Sequence, residues 1–289
     1  MQRARLQGPY DDQLYWQRVH RNLGWFADED DEQRRRQETL RDTVVGVAGC
    51  GGSGGAVAVR LARMGVRKLK VADPELFEVS NIHRQTGASM DTVGRSKAAV
   101  VADLAFALSR DIEIDVYSEG ITAANAADFV DGCTVVMDQL EFFQIANRYA
   151  LHRAFRAAPD CRFMFNVPVV GNRVFLFTYT KESMPIEEVY GLPEDTAITP
   201  EVTRRLIERI CPELPTFPSA QTLDHWFLDK GTMPILGGMP PVAEGLICSR
   251  LLAEIVDLPG RTRLPAQPGY AMFDVLNWTA KIVQRAAWA

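Results

Sequence analysis

An α/β fold built on a mostly parallel sheet is what this sequence predicts, and three observations predict it. Short apolar runs alternate with amphipathic stretches of helical length from Thr43 onward. The first run, TVVGVAG, breaks into the glycine-rich loop Gly49-Cys50-Gly51-Gly52-Ser53-Gly54 before a helix begins. An acid, Asp73, closes the second run 24 residues after Gly49. Together these describe a Rossmann-like sheet with helices on both faces.

Residues 1–42 read as an N-terminal helical segment. Its DEDDEQRRRQETLRD stretch sets acids ahead of bases, the order the helix dipole favours. Residues 43–178 read as the nucleotide-binding α/β core. There TVVGVAG is a buried strand, GAVAVRLARMG a helix closed by Gly65, and KLKVAD the next strand. SKAAVVADLAFALS is a second helix and IEIDVYS a strand. AANAADFV, CTVVMD and FFQIANRYALHRAFRAA follow as helix, strand and longer helix. In CRFMFNVPVVGNRVFLFTYT two strand-like runs flank VGN, a hairpin or bend. Residues 179–235 are rich in Pro, Glu and Thr, show weak periodicity and exceed an ordinary connection. They read as a long irregular insertion that walls the substrate. Residues 236–289 return to the same domain with the helix PPVAEGLICSRLLAEIVDL and two closing strands in YAMFDVLNWTAKIVQR, an antiparallel extension.

The 289 residues are 47% hydrophobic and 24% charged, enough apolar content for a sizeable core. A net charge of −5 and a pI near 5.5 speak against nucleic acid as a partner. The five cysteines are widely spaced and none forms a C-x-x-C pair, so no zinc site is expected and reduced thiols in a cytoplasm are. MQRARLQGPYDDQ lacks the apolar core of a signal peptide, and no run approaches the roughly 20 apolar residues of a membrane helix. His20, His83, His152 and His225 do not form a ligand set, and Trp25, Phe142 and Phe143 read as core aromatics.

The glycine loop sits between a strand and a helix start. Backbone N–H groups there have no partners within the helix, and the dipole adds positive potential. Gly49, Gly51, Gly52 and Gly54 let a phosphate approach, and Asp73 is placed to accept from a ribose hydroxyl. This much fits NAD and ATP equally; the G-K-[ST] ending of a Walker loop is absent. The next stretch discriminates. Asn81, Arg84 and Gln85 are packed close together, and Lys97 follows 13 residues after Arg84. Arginine and lysine beside a triphosphate neutralise charge and position its oxygens.

The set resembles the ThiF/MoeB family, the bacterial relatives of ubiquitin-activating enzymes. Three motifs carry the likeness: G-x-G-G-x-G at Gly49–Gly54, D-x-x-x-x-x-x-S-N-x-x-R-Q at Asp73–Gln85, and G-x-x-K at Gly94–Lys97. LYWQRVHRNLGW is similar to the family's N-terminal segment, and LGGMPPVAEGLICSRLLAEIV to its late helix. The resemblance implies adenylation, in which a carboxylate attacks the α-phosphorus of ATP to give an acyl-adenylate and pyrophosphate. It implies that Asn81, Arg84, Gln85 and Lys97 line the phosphates. Arg18 matches an arginine that reaches the partner subunit's phosphates, which implies a homodimer.

The family's D-x-x-D-N stretch, which holds magnesium, reads DQLEF here. Asp138 fills the first acid, beside the nucleotide, Glu141 stands for the second, and Phe142 replaces the asparagine. Glutamate binds magnesium through oxygen as aspartate does, so Glu141 is the expected Mg²⁺ ligand. Some relatives use a catalytic cysteine; Cys211, between Glu208 and Glu213 at a helix end, reads as inert, and Cys50 as a small apolar filler. Lack of zinc pairs favours a peptide substrate in natural-product biosynthesis over a ubiquitin-like sulfur carrier or a tRNA-linked threonyl group. An NAD-dependent oxidoreductase explains the glycines and Asp73 but gives Asn81, Arg84, Gln85 and Lys97 no task. A binding module that has lost magnesium stays open through Glu141.

Overall fold

The computed structural model describes residues 3–285. The chain starts with strand β1 (Ala4–Gln7) and helices α1 (Asp12–Phe26) and α2 (Asp30–Asp42). The core follows as β2 (Val44–Ala48), α3 (Gly52–Met64), β3 (Lys68–Ala72), α4 (Lys97–Ala107), β4 (Glu113–Tyr117), α5 (Ala126–Val130), β5 (Val135–Asp138), α6 (Ile145–Ala157) and β6 (Phe163–Asn166). Then come β7 (Val169–Val170), β8 (Arg173–Tyr179), α7 (Ile186–Tyr190), α8 (Pro200–Ile210), α9 (Ala220–Asp224), α10 (Met239–Ile255), β9 (Tyr270–Asp274) and β10 (Thr279–Val283).

The sheet runs β1-β4-β3-β2-β5-β6-β8-β9-β10, with β7 beside β8. Its five central strands are parallel, and β8, β9 and β10 extend it antiparallel. The central strands are almost wholly buried because helices cover both faces. Apolar residues of α3, α4 and α10 fill one face. Those of α5, α6, α7 and α8 fill the other. Strands are added leftward from β2 to β4, then rightward from β2 through β5. The switch falls between β2 and β5, where Ala48 lies opposite Asp138. A crevice opens at the carboxyl ends of strands at such a point.

Two elements differ from the sequence reading. The N-terminal segment opens with a strand: β1 pairs antiparallel with β4, Ala4 opposite Val116. Its four residues, Ala4, Arg5, Leu6 and Gln7, are too few to carry a period of their own. The strand is fixed by its distant partner, with Arg5 donating to both carboxylate oxygens of Asp115 at 2.6 and 3.0 Å. Within the insertion, α8 is a regular helix rather than an irregular run. Thr199 caps it by accepting from the Val202 N–H, Pro200 occupies its first turn, and Leu206, Ile207 and Ile210 bury one face. Burying each of these contributes about 1.5–3 kcal/mol.

Candidate active site

The crevice holds a small open cleft of about 130 Å³. The glycine loop forms its floor. Gly49 has φ +102° and presses against Gln139, so a Cβ there would overlap the Gln139 carbonyl; one on Gly54 would overlap the Gly49 carbonyl. These two glycines serve the tight turn itself. Gly51 and Gly52 differ. A Cβ on Gly51 would have only Gln85 Nε2 near it, at 3.7 Å, and one on Gly52 would meet Pro240 at 3.3 Å. Their bare backbone faces the cleft at the start of α3, whose cap residue Gly51 offers no side chain. That is an anion cradle by construction.

Asp73 laces the loop in place. Its two oxygens accept from the Cys50 N–H at 2.7 Å and the Glu75 N–H at 2.8 Å. Burial pushes its carboxyl upward, while those two N–H groups and Lys97 pull the other way. Lys97 opens α4, where its backbone N–H donates to the Glu75 carbonyl at 2.9 Å. Its ammonium pairs with Glu75 Oε2 at 2.5 Å. Gly94, at φ +84°, makes the turn that brings Lys97 here. Across the crevice Glu141 is open to solvent at the cleft rim yet deep among protein atoms. Burial first, and then the carboxylates of Glu75 and Asp73, push its carboxyl up against the opposing pull of Lys97 and Arg84. The charges of Asp73, Glu75, Lys97 and Arg84 thus all act on Glu141, which lines the cleft.

Arg84 donates to the Ser80 carbonyl at 2.8 Å and reaches the rim of a neighbouring cleft lined by Phe217, Trp226 and Leu236. Met233 and Ile235 line both clefts and separate them. Asn81 is buried as a cap, its Oδ1 accepting from the Glu78 N–H at 3.0 Å. Gln85 is buried against the loop, with its Oε1 unpartnered. From the insertion, Ile210, Met233 and Ile235 line the cleft.

The ThiF family model matches residues 15–165, more than half of the chain. This chain belongs to the ThiF family. It is 31% identical over 141 residues to the SAMP-activating enzyme E1 of Haloferax volcanii, covering 49% of each chain. It is 29% identical to the sulfur carrier protein adenylyltransferase of Thermus thermophilus, again over 49% of each. It therefore spans about half the length of these curated relatives. The crystal structure of E. coli MccB with MccA aligns with a TM-score of 0.64 at 15% identity, over 95% of this chain and 72% of that one. At that identity the likeness establishes the fold.

Against the ThiF motifs, Asp138 sits elsewhere than the sequence reading put it. Asp138, read as lining the nucleotide, is fully buried and turned away from it. Its Oδ2 accepts from Arg148 Nε at 3.0 Å, Arg148 Nη2 at 2.6 Å and His152 Nε2 at 3.0 Å, while Oδ1 accepts from the Leu140 N–H. Burial alone would raise this carboxyl; Arg148 and His152 outweigh it and hold it at about 2. Arg18 donates to the Ala62 carbonyl at 2.7 Å and to Asp111 at 3.4 Å. With Tyr15, Asn22 and Gln37 it satisfies the last carbonyls of α3. Ala62 lies ten residues along α3 from Gly52, roughly 15 Å away at 1.5 Å per residue. Arg18 caps a helix within its own chain and lies far from its own loop.

The sequence reading missed Glu75, Gln139, Arg148, His152 and Asn166. Glu75 and Asn166 had a visible signal, since both stand at or just past the carboxyl end of a parallel strand. Among the described residues, no cluster of three or more His, Cys, Asp or Glu is arranged to hold a metal ion, and no helix is long and apolar enough to cross a membrane. All five cysteines are buried. Burial pushes the Cys211 thiol up to about 12, so it is not a thiolate near neutrality. Iodoacetamide at mildly alkaline pH is expected to label none of the five in the folded protein and all of them in urea. Mass spectrometry reads the difference, and rapid labelling of Cys211 before unfolding would contradict its burial.

Proposed function

We propose that this chain is an ATP-dependent adenylyltransferase that activates the carboxyl terminus of a peptide. The observation that carries the reading is the open backbone of Gly51 and Gly52 at the start of α3, in a cleft that Glu141 also lines, with the charges of Lys97 and Arg84 acting on Glu141. The bare N–H groups and the two cations suit a triphosphate, whose in-line displacement needs positioning and charge neutralisation more than a covalent protein group. In that reaction a carboxylate oxygen bonds to the α-phosphorus, the bridging P–O bond breaks, and pyrophosphate leaves with the electron pair. Asp73 holds the loop at its working distance and borders the ribose site.

Glu141 would hold a magnesium ion. Glu141 lines the cleft; burial first and then the Glu75 and Asp73 carboxylates raise its carboxyl, a divalent cation would offset that negative charge, and the phosphates would complete the shell. When bound, such an ion neutralises phosphate charge. A peptide is favoured over a folded carrier because the cleft is small, with Ile210, Met233 and Ile235 of the insertion along its lining, and because MccB in complex with MccA shares this fold. The curated ThiF relatives named for sulfur carriers keep a carrier-protein terminus as the second reading. A second subunit and a cytoplasmic site of action belong to the same proposal.

Two measurements test it. ATP with magnesium is expected to raise the melting temperature and NAD to leave it unchanged. Radioactive pyrophosphate is expected to exchange into ATP only when a substrate carboxylate is present, with synthetic peptides and small carriers compared side by side. Stabilisation by NAD without ATP binding would overturn the assignment; exchange with carriers alone would overturn the peptide preference.

A further inference from the structure

We propose that Asn166 determines specificity by reading the last peptide group of the substrate, accepting a hydrogen bond from the N–H of the residue that bears the reacting carboxylate. This rests on the adenylation reading and names the chemistry beside the carboxylate: an amide, as opposed to a free acid that has no N–H.

Asn166 ends β6 at the carboxyl edge of the sheet, lines the cleft and is 5% exposed. Its Nδ2 donates to the Asp138 carbonyl at 2.5 Å. That bond fixes which way the amide faces, because the flipped group would set oxygen against oxygen. Its anchor is rigid, since the Asp138 side chain is itself clamped by Arg148 and His152. The Oδ1 that results is sealed from water and has no partner. Gln139, which ends the neighbouring strand and lines the same cleft, has an unpartnered buried Nε2. One orphan acceptor and one orphan donor at one wall are costly in the free protein. A peptide group supplies one N–H and one C=O, the complement of that pair.

The reach agrees. β2, β5 and β6 are successive neighbours, so Asn166 lies two strand spacings, roughly 10 Å, from the glycine loop. A phosphate seated on the loop, a near-attack approach of about 3 Å, one extended residue of about 3.5 Å and a hydrogen bond of about 2.9 Å together span at least that separation. The N–H of the carboxyl-terminal residue can therefore reach Oδ1.

The test uses the full chain and two stable mimics of an acyl-adenylate, adenosine 5′-sulfamates acylated with acetylglycine or with acetylglycolate. They differ in one atom, the amide N–H against an ester oxygen. By calorimetry the wild type is expected to bind the amide probe about tenfold tighter or more. Asn166→Ala is expected to lose the preference while keeping its affinity for ATP. Equal binding of both probes by the wild type overturns the proposal, and that comparison stands whether or not the variant folds. Equal weakening of ATP and both probes in Asn166→Ala also overturns it, since Asn166 would then read the adenine. If the wild type fails to bind ATP, the adenylation reading falls first.

Discussion

Lys97→Ala is expected to lower ATP-dependent turnover by about 10²–10³-fold, the range seen when one group that stabilises developing charge is removed, while leaving the protein folded. The side chain is almost completely buried, yet its partner Glu75 is half exposed. Deleting the ammonium therefore leaves a carboxylate that water can solvate, and the stability loss stays near the roughly 0–1 kcal/mol of a partly exposed pair. The helix start is unharmed, because its cap comes from Ser96, which accepts from the Ala99 N–H, and not from Lys97. What is lost is one of the two cations whose charge acts on Glu141. The expected signature is a large fall in pyrophosphate exchange with a melting temperature within a few degrees of wild type. Near-normal exchange would show that the phosphates lie elsewhere.

The parts legible in the sequence were those whose physics is local. The strand–glycine–helix turn and the αL closure of α3 at Gly65 each need particular residues at fixed spacing, and these were readable. The motif from Asp73 to Gln85 was readable too, but not which atom does what. Asp73 spends its side chain on backbone N–H groups of the glycine loop and of its own loop, and Asn81 on one within its own. Such roles follow from the path of the chain, which a motif does not contain. β1 was hidden because its pairing partner lies more than a hundred residues away. α8 was hidden because proline, glutamate and threonine around it dominate the composition, although Val202, Leu206, Ile207 and Ile210 keep a helical period. Arg148 and His152 stand four residues apart on α6 and Asn166 ends β6; they meet at Asp138 on β5, and no spacing rule shows that meeting.

That meeting point gives the larger stability effect. Asp138→Asn is expected to destabilise the fold by about 3–5 kcal/mol, because it leaves the buried Arg148 guanidinium without a counter-charge. Arg148 is 1% exposed; burial works against its charge, and the Asp138 carboxylate more than offsets this. Arg148 also donates to the Tyr190 hydroxyl, so the same charge ties α6 to α7 at the start of the insertion that lines the cleft. His152 is neutral here, since burial lowers its pKa more than Asp138 raises it, and its Nε2–H donates to Asp138. The pH dependence follows in sign. Asp138 titrates at about 2 when folded and near 3.9 when unfolded, so its stabilisation is complete above about pH 4 and is lost as pH falls toward 2. His152 acts in the same direction from about pH 6.5 downward, because the unfolded imidazole takes the proton first. Urea unfolding across that range is expected to show wild-type stability falling with acid, and a flatter acid limb in Asp138→Asn. Replacing both charges, Asp138→Leu with Arg148→Met, should recover much of the loss, because the cost lies in the unpaired charge. A single variant as stable as wild type would mean that water reaches Arg148, and the cleft wall carrying Asn166 would then lack its rigid anchor.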